Sequence, residues 1–258
     1  MAQVFAFANQ KGGVGKTTLS TQFAFFLQKK GAKVLFLDMD AQGNATDIFM
    51  EHEDFTGTSV ADLFVDSDLD LNIVHTHSGI DLLGSYQEDD EYEVEALPME
   101  KIANPTKWLT PVMDNYDYVV VDCPPGLGRL MVASLYFADY VIAPVRLSAY
   151  ANRGLNGLFR TIYNLQDVNP NVNILGIAVN DYRDTRNQKD ALEAIDEALP
   201  GLVFKTIVHT RTPIDEAGPM CMSIADLPRK PESLEKSIEE LYSLFNEILD
   251  RVEEQKVN

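Results

Sequence analysis

Short apolar runs alternate along the chain with longer stretches of helical periodicity. VFAFA (4–8), KVLFLD (33–38), YVVVD (118–122), DYVIAPV (139–145) and NILGIAVN (173–180) have the length and near-continuous hydrophobicity of buried strands. TTLSTQFAFFLQKKG (17–31), ANRGLNGLFRTIYNLQDV (151–168) and RNQKDALEAIDEAL (186–199) read as helices, the first stopped by Gly31 at its C-terminal cap. Residues 231–254 predict an amphipathic helix with Leu234, Ile238, Leu241, Phe245 and Ile248 on one side. Strands alternating with helices predict an α/β fold, a mostly parallel twisted sheet with helices on both faces, in a single domain spanning residues 1–258. In such a sheet the ligand crevice lies beyond the carboxyl ends of the strands, and polar residues follow the strands here. Residues 51–100 break the pattern and read as an irregular acidic insertion of short helices and a hairpin.

Composition changes this picture in two places. The two cysteines, Cys123 and Cys221, are far apart without metal-ligand spacing, which points to a reducing cytosol and away from disulfides or zinc. The N-terminal MAQVFAFAN has no basic region of a signal peptide, and no apolar run reaches the ~18 residues of a membrane span. The expected location is cytoplasmic. The formal net charge of −19 argues against nucleic acid as a partner, but the charge is unevenly spread. Residues 51–100 hold 15 acidic side chains and no Lys or Arg, whereas residues 140–230 hold 10 acidic and 10 basic ones. A local basic patch therefore remains open. The C-terminal helix has 8 acidic and 3 basic side chains over 231–258, the wrong balance for an anionic membrane surface, so it is expected to pack on the core.

The chemistry is concentrated at the strand ends. NQKGGVGKTT (9–18) nearly fits the phosphate-loop pattern G-x-x-x-x-G-K-[ST], with Gln10 where the first glycine belongs and an additional lysine, Lys11, just after it. Gly12, Gly13 and Gly15 let backbone N–H groups close around phosphate oxygens, at the positive end of the following helix. Val14 and Thr18 complete the loop, Lys16 is placed for the β- and γ-phosphates, and the Thr17 hydroxyl for Mg²⁺. Asp122 ends a hydrophobic strand, where an acid either holds the Mg²⁺ shell or caps the next turn. Asp38 and Asp40, in LFLDMDAQGNAT, are either turn acids or carboxylates near the γ-phosphate that orient water or report its presence.

KGGVGKTT, LDMDAQGNAT and YDYVVVDCPPGLG together resemble the ParA/MinD family of deviant phosphate-loop ATPases, most of all its ParA/Soj partition branch. The resemblance covers most of the chain, through Asn180 to the DEA at 215–217, and implies a phosphate-loop NTPase fold. It implies ATP and Mg²⁺ as cofactors, and it explains Lys11 as the residue that crosses a dimer interface to the ATP of the other subunit. It further implies that Asp38 and Asp122 join Thr17 around the metal, that Asp40 positions the attacking water, and that Asn180 meets the adenine edge. His209 and Arg211 lie where the family's chain passes the base. Three positions depart from the family pattern: Ala41 and Gly126 replace a proline and a serine, and Pro213 stands where the partition branch commonly has an arginine for non-specific DNA contact. Arg183, Arg186, Lys189, Lys205, Arg229 and Lys230 are the basic residues left to take over that contact.

The expected protein is thus a weak, Mg²⁺-dependent ATPase that forms a homodimer on ATP and is stimulated by a partner of ParB type. It segregates plasmid or chromosomal DNA, with non-specific DNA, hence the nucleoid, as its track. The alternative keeps the nucleotide switch but positions a protein assembly, such as a chemoreceptor cluster, flagellum or secretion machine, without direct DNA binding.

Overall fold

The computed structural model describes residues 2–51, 54–64, 68–85, 94–148, 151–228 and 232–257; Arg229 and Lys230 lie outside them. The strands are β1 (Gln3–Phe7), β2 (Val34–Asp38), β3 (Val74–His75), β4 (Asp81–Leu83), β5 (Tyr118–Asp122), β6 (Tyr140–Arg146) and β7 (Asn173–Asn180). They form a sheet in the order β3-β4-β2-β5-β1-β6-β7, parallel throughout except for the β3–β4 pair at one edge. The helices are α1 (Lys16–Lys29), α2 (Thr46–Phe49), α3 (Asn104–Met113), α4 (Arg129–Tyr136), α5 (Ala151–Leu165), α6 (Arg186–Ala198), α7 (Thr212–Ala217) and α8 (Glu232–Val257).

Strand alternation sorts the core into two layers. Val4 and Ala6 of β1, Leu35 and Leu37 of β2, and Val119 and Val121 of β5 face one side with residues of α3, α4 and α5. Phe5 and Phe7, Val34 and Phe36, and Val120 face the other, against α1 and α8. Both faces of the central strands are therefore buried, which is why these strands read as unbroken apolar runs. On the second side Phe23 of α1 sits among Phe5, Phe7, Phe26 and Phe245, with ring centroids 5.3 to 6.3 Å apart. Leu234, Leu241, Phe245 and Ile248 of α8 are buried and Ile238 partly so, and α8 lies on the core as its charge balance implies. Its end is pinned by Arg251, which donates to the carbonyls of Leu175, Leu202 and Val203. No described helix is long and apolar enough to cross a membrane.

The described part of the acidic stretch joins the sheet. β4 pairs in parallel with β2 and antiparallel with β3, and 3-10 turns at Val60–Phe64 and Met99–Ala103 lead in and out. Two helices absent from the sequence reading, α3 and α4, cover the adjoining face. Gly31, at φ +87°, ends α1 in the left-handed conformation that its position implies. Truncating the ring at the centre of the aromatic layer tests this packing. Phe23→Ala is expected to cost about 3–5 kcal/mol in urea unfolding; a loss below about 1 kcal/mol would show that the layer does not depend on that ring.

Candidate functional site

Strand register brings the functional loops together. Phe7 pairs with Asp122, Asp38 with Asp122, and Arg146 with Asn180, so all these strands end at one edge of the sheet. A cavity of about 610 Å³ opens there, with Gly12, Gly13, Gly15, Lys16, Thr17 and Thr18 along one wall. Gly15, at φ +96°, allows the turn into α1, and a Cβ on it would overlap the Asn180 carboxamide. That carboxamide donates to the Val14 carbonyl at 3.1 Å and lines the same cavity. Buried Lys16 donates to the Lys11 carbonyl at 3.2 Å. Asn9 bridges loop and sheet: its Nδ2 donates to Pro144 O at 2.8 Å, and its Oδ1 accepts from the Lys11 N–H at 3.0 Å. Val14 is buried under the loop, and Lys11 stands just before the lining residues.

Three carboxylates converge below the loop. The Thr17 hydroxyl donates to Asp122 Oδ2 at 2.6 Å, while Asp122 Oδ1 is buried without a partner. Burial pushes Asp122 up to about 7, against the Thr17 hydrogen bond and the Lys16 charge that pull it down. Burial also raises Asp38 well above the usual carboxylate range, and the Asp122 charge beside it adds to the shift. Asp40 reaches the cavity wall; burial raises it too, opposed by the Gln42 N–H and the Lys16 charge.

The donor set fits a Mg²⁺–nucleotide. An orphaned, buried carboxylate oxygen beside a threonine hydroxyl, at the start of a helix behind a glycine cradle, has the components of a phosphate-bound Mg²⁺ site. Asp38, which the resemblance places at the metal, uses both carboxylate oxygens within the protein. Its Oδ1 accepts from the Asp40 N–H at 3.2 Å, and its Oδ2 accepts from both the N–H and the hydroxyl of Thr46 at 2.8 Å. Thr46 Oγ1 in turn accepts from the Ser85 N–H at 3.0 Å. Asp38 thus anchors the loop that carries Asp40.

His209 and Arg211 are not among the residues that line the cavity. Glu240 of α8 engages both: Arg211 Nε donates to it at 3.1 Å, and the His209 N–H donates at 3.0 Å. The cavity continues beyond Asn180 along Arg146, Asp181, Arg183 and Thr210 instead. Arg146 pairs with Asp181, and Arg183 Nε donates to Thr210 Oγ1 at 3.2 Å. The sequence carried a signal for Arg146, since it closes a strand as Asn180 closes the next. Gly15→Ala is expected to abolish binding of a fluorescent ATP analogue while circular dichroism stays unchanged, because the methyl group displaces Asn180 and strains a left-handed residue. Retained binding in that variant would mean the cradle is not closed by this contact.

The family profile described as an AAA domain matches residues 2–174. The chromosome-partitioning ATPase Soj of Treponema pallidum is 32% identical over 229 residues, covering 84% of this chain and 87% of that protein. The cell division protein PomZ of Myxococcus xanthus is 33% identical over 220 residues, covering 82% of this chain and 68% of that protein. Among solved structures, cobyrinic acid a,c-diamide synthase of Mycobacterium smegmatis with a bound ATP analogue and magnesium is similar, at TM-score 0.71 and 26% identity. That match covers 86% of this chain and 93% of the synthase chain. With its phosphate loop, strand-end acids and parallel sheet, the chain belongs to the ParA/MinD family of phosphate-loop ATPases, as a relative of Soj.

Proposed function

We propose that this ATPase is a dimerisation switch that segregates plasmid or chromosomal DNA. The observation that carries the reading is the division of labour between two lysines: Lys16 is buried in the loop and holds the Lys11 carbonyl, while Lys11 starts outside the cavity lining. Backbone N–H groups of residues 12–17 and the Lys16 ammonium bind the β- and γ-phosphates. Thr17 and Asp122 hold Mg²⁺, which when bound neutralises phosphate charge. Asp40, at the cavity wall, orients the attacking water. Lys11 reaches the nucleotide of a second copy, so two subunits enclose two ATPs, and loss of the γ-phosphate opens the pair. Hydrolysis by the single subunit is slow, and a partner of ParB type accelerates it. The track is non-specific DNA, and the protein is cytoplasmic and nucleoid-associated.

A second reading, in which the switch positions a protein assembly without touching DNA, is favoured by three observations. Pro213 is buried at the start of α7, where the branch commonly has its DNA-contacting arginine. Of the substitute basic residues, Arg183 faces Asp181 and Thr210, and Lys189 pairs with Asp184 at 3.1 Å. The similarity to a cell division protein supports a cargo other than plasmid or chromosomal DNA.

One variant tests the switch that both readings share, and a second decides between them. Lys11→Ala is expected to lose the ATP-dependent dimer in sedimentation, and an unaltered dimer would sink the switch. Asp40→Ala is expected to trap an ATP dimer, whose retention on non-specific DNA is then compared with ATP and with ADP at ~0.15 M salt. Retention only with ATP supports DNA segregation, and a dimer that ignores DNA supports the positioning reading.

A further inference from the structure

Helix α5 carries two glycines one turn apart, Gly154 and Gly157, although glycine is the poorest helix former after proline. Both lie under the start of the phosphate loop. A Cβ on Gly154 would stand 3.1 Å from Asn9 Oδ1 and 3.5 Å from Cδ and from Cε of Lys11. A Cβ on Gly157 would stand 2.9 Å from Gln10 Oε1. Three consecutive side chains, those of residues 9, 10 and 11, therefore rest on a bare strip of helix backbone. The same strip accounts for a side chain at position 10, where the phosphate-loop pattern has glycine: Gln10 has a seat at Gly157.

The main chain of Lys11 is fixed independently of its side chain. Its N–H is held by Asn9 and its carbonyl by Lys16. A lysine stem has many rotamers, and a fixed main chain alone does not choose among them. The stem here lies against Gly154, so the helix surface removes the directions that would cross α5.

We propose that the glycine face of α5 is the seat that aims Lys11, and that Gly154 is a positioning residue for the contact Lys11 makes with a second copy. This rests on the reading of Lys11 as the cross-subunit residue. The three atoms nearest a methyl at 154 belong to Asn9 and the Lys11 stem, and not to residues 12–17, whose backbone forms the cradle. The defect should therefore be selective: dimerisation suffers while the single subunit still binds nucleotide.

The test compares Gly154→Ala, Lys11→Ala and the double variant in the full chain. ADP affinity is read by fluorescence, and dimerisation by sedimentation with Mg²⁺ and a non-hydrolysable ATP analogue. Gly154→Ala is expected to keep ADP affinity within about twofold and to weaken the dimer about tenfold, the scale of one charge-assisted contact. The double variant should be no worse than Lys11→Ala, since both changes act through one side chain. If Lys11→Ala loses the dimer and Gly154→Ala keeps it at full strength, the seat is overturned. Should Lys11→Ala itself dimerise normally, the cross-subunit reading fails first and the seat with it. If Gly154→Ala does not fold, Gly157→Ala decides, because its close contact is the end of a flexible side chain. A weaker dimer relieved by adding Gln10→Ala supports the seat, and unchanged dimerisation overturns it.

Discussion

Buried negative charge is the constraint around which this molecule is arranged. Asp38 and Asp122 are register partners on neighbouring strands, both with no exposed surface, and Asp40 stands two residues away with 9% exposure. Three carboxylates this close and this deep are costly unless a cation offsets them. Lys16, the cation beside Asp40 and Asp122, offsets only part of that, as the upward shift of Asp122 to about 7 records. An orphaned Asp122 oxygen and a hydroxyl beside it complete an arrangement that a divalent cation relieves. The surrounding layers hold this arrangement in place: the strands that end in Asp38 and Asp122 are buried on both faces and cannot slip register without turning their apolar side chains over.

That rigidity also explains what the sequence made legible. A strand buried on both faces must be apolar throughout, so β2 and β5 announce themselves, and an acid closing such a run has few bland explanations. The phosphate loop is local, its function carried by glycine conformations and adjacent side chains, and it too can be read directly. α3 was not legible, because Pro111 lies within it and only Pro105 and Leu109 are buried, which leaves little periodicity. β3 and β4 are two and three residues long, below what alternation can resolve.

The outer half of the cavity was hidden for a different reason. Whether Arg211 faces the ligand or the body of the protein depends on Glu240, 29 residues later on α8. A long-range ion pair of that kind leaves no local trace. Arg183 differs only in position from the other basic residues, whereas Arg146 closes a strand, and register brings it beside Asn180. The anchoring role of Asp38 was hidden likewise, since it requires Thr46 to fold back eight residues onto the strand end.

The three loops are also linked to one another by backbone hydrogen bonds. The Gln10 carbonyl accepts from the Gly126 N–H at 2.8 Å, which ties the phosphate loop to the turn after Asp122. The Asp122 carbonyl accepts from the Met39 N–H at 2.9 Å, which ties that turn to the Asp40 loop. The three loops at the cavity are therefore one bonded assembly. Gln10 is central to this arrangement: its carbonyl joins the turn that follows Asp122, its side chain rests on α5, and its neighbour is Lys11. A glycine at that position would keep the carbonyl bond and lose the side-chain seat, leaving the lysine's base less constrained. The missing glycine and the additional lysine thus adjoin one another on one anchored segment, the first filling a seat on α5 and the second lying against the same helix.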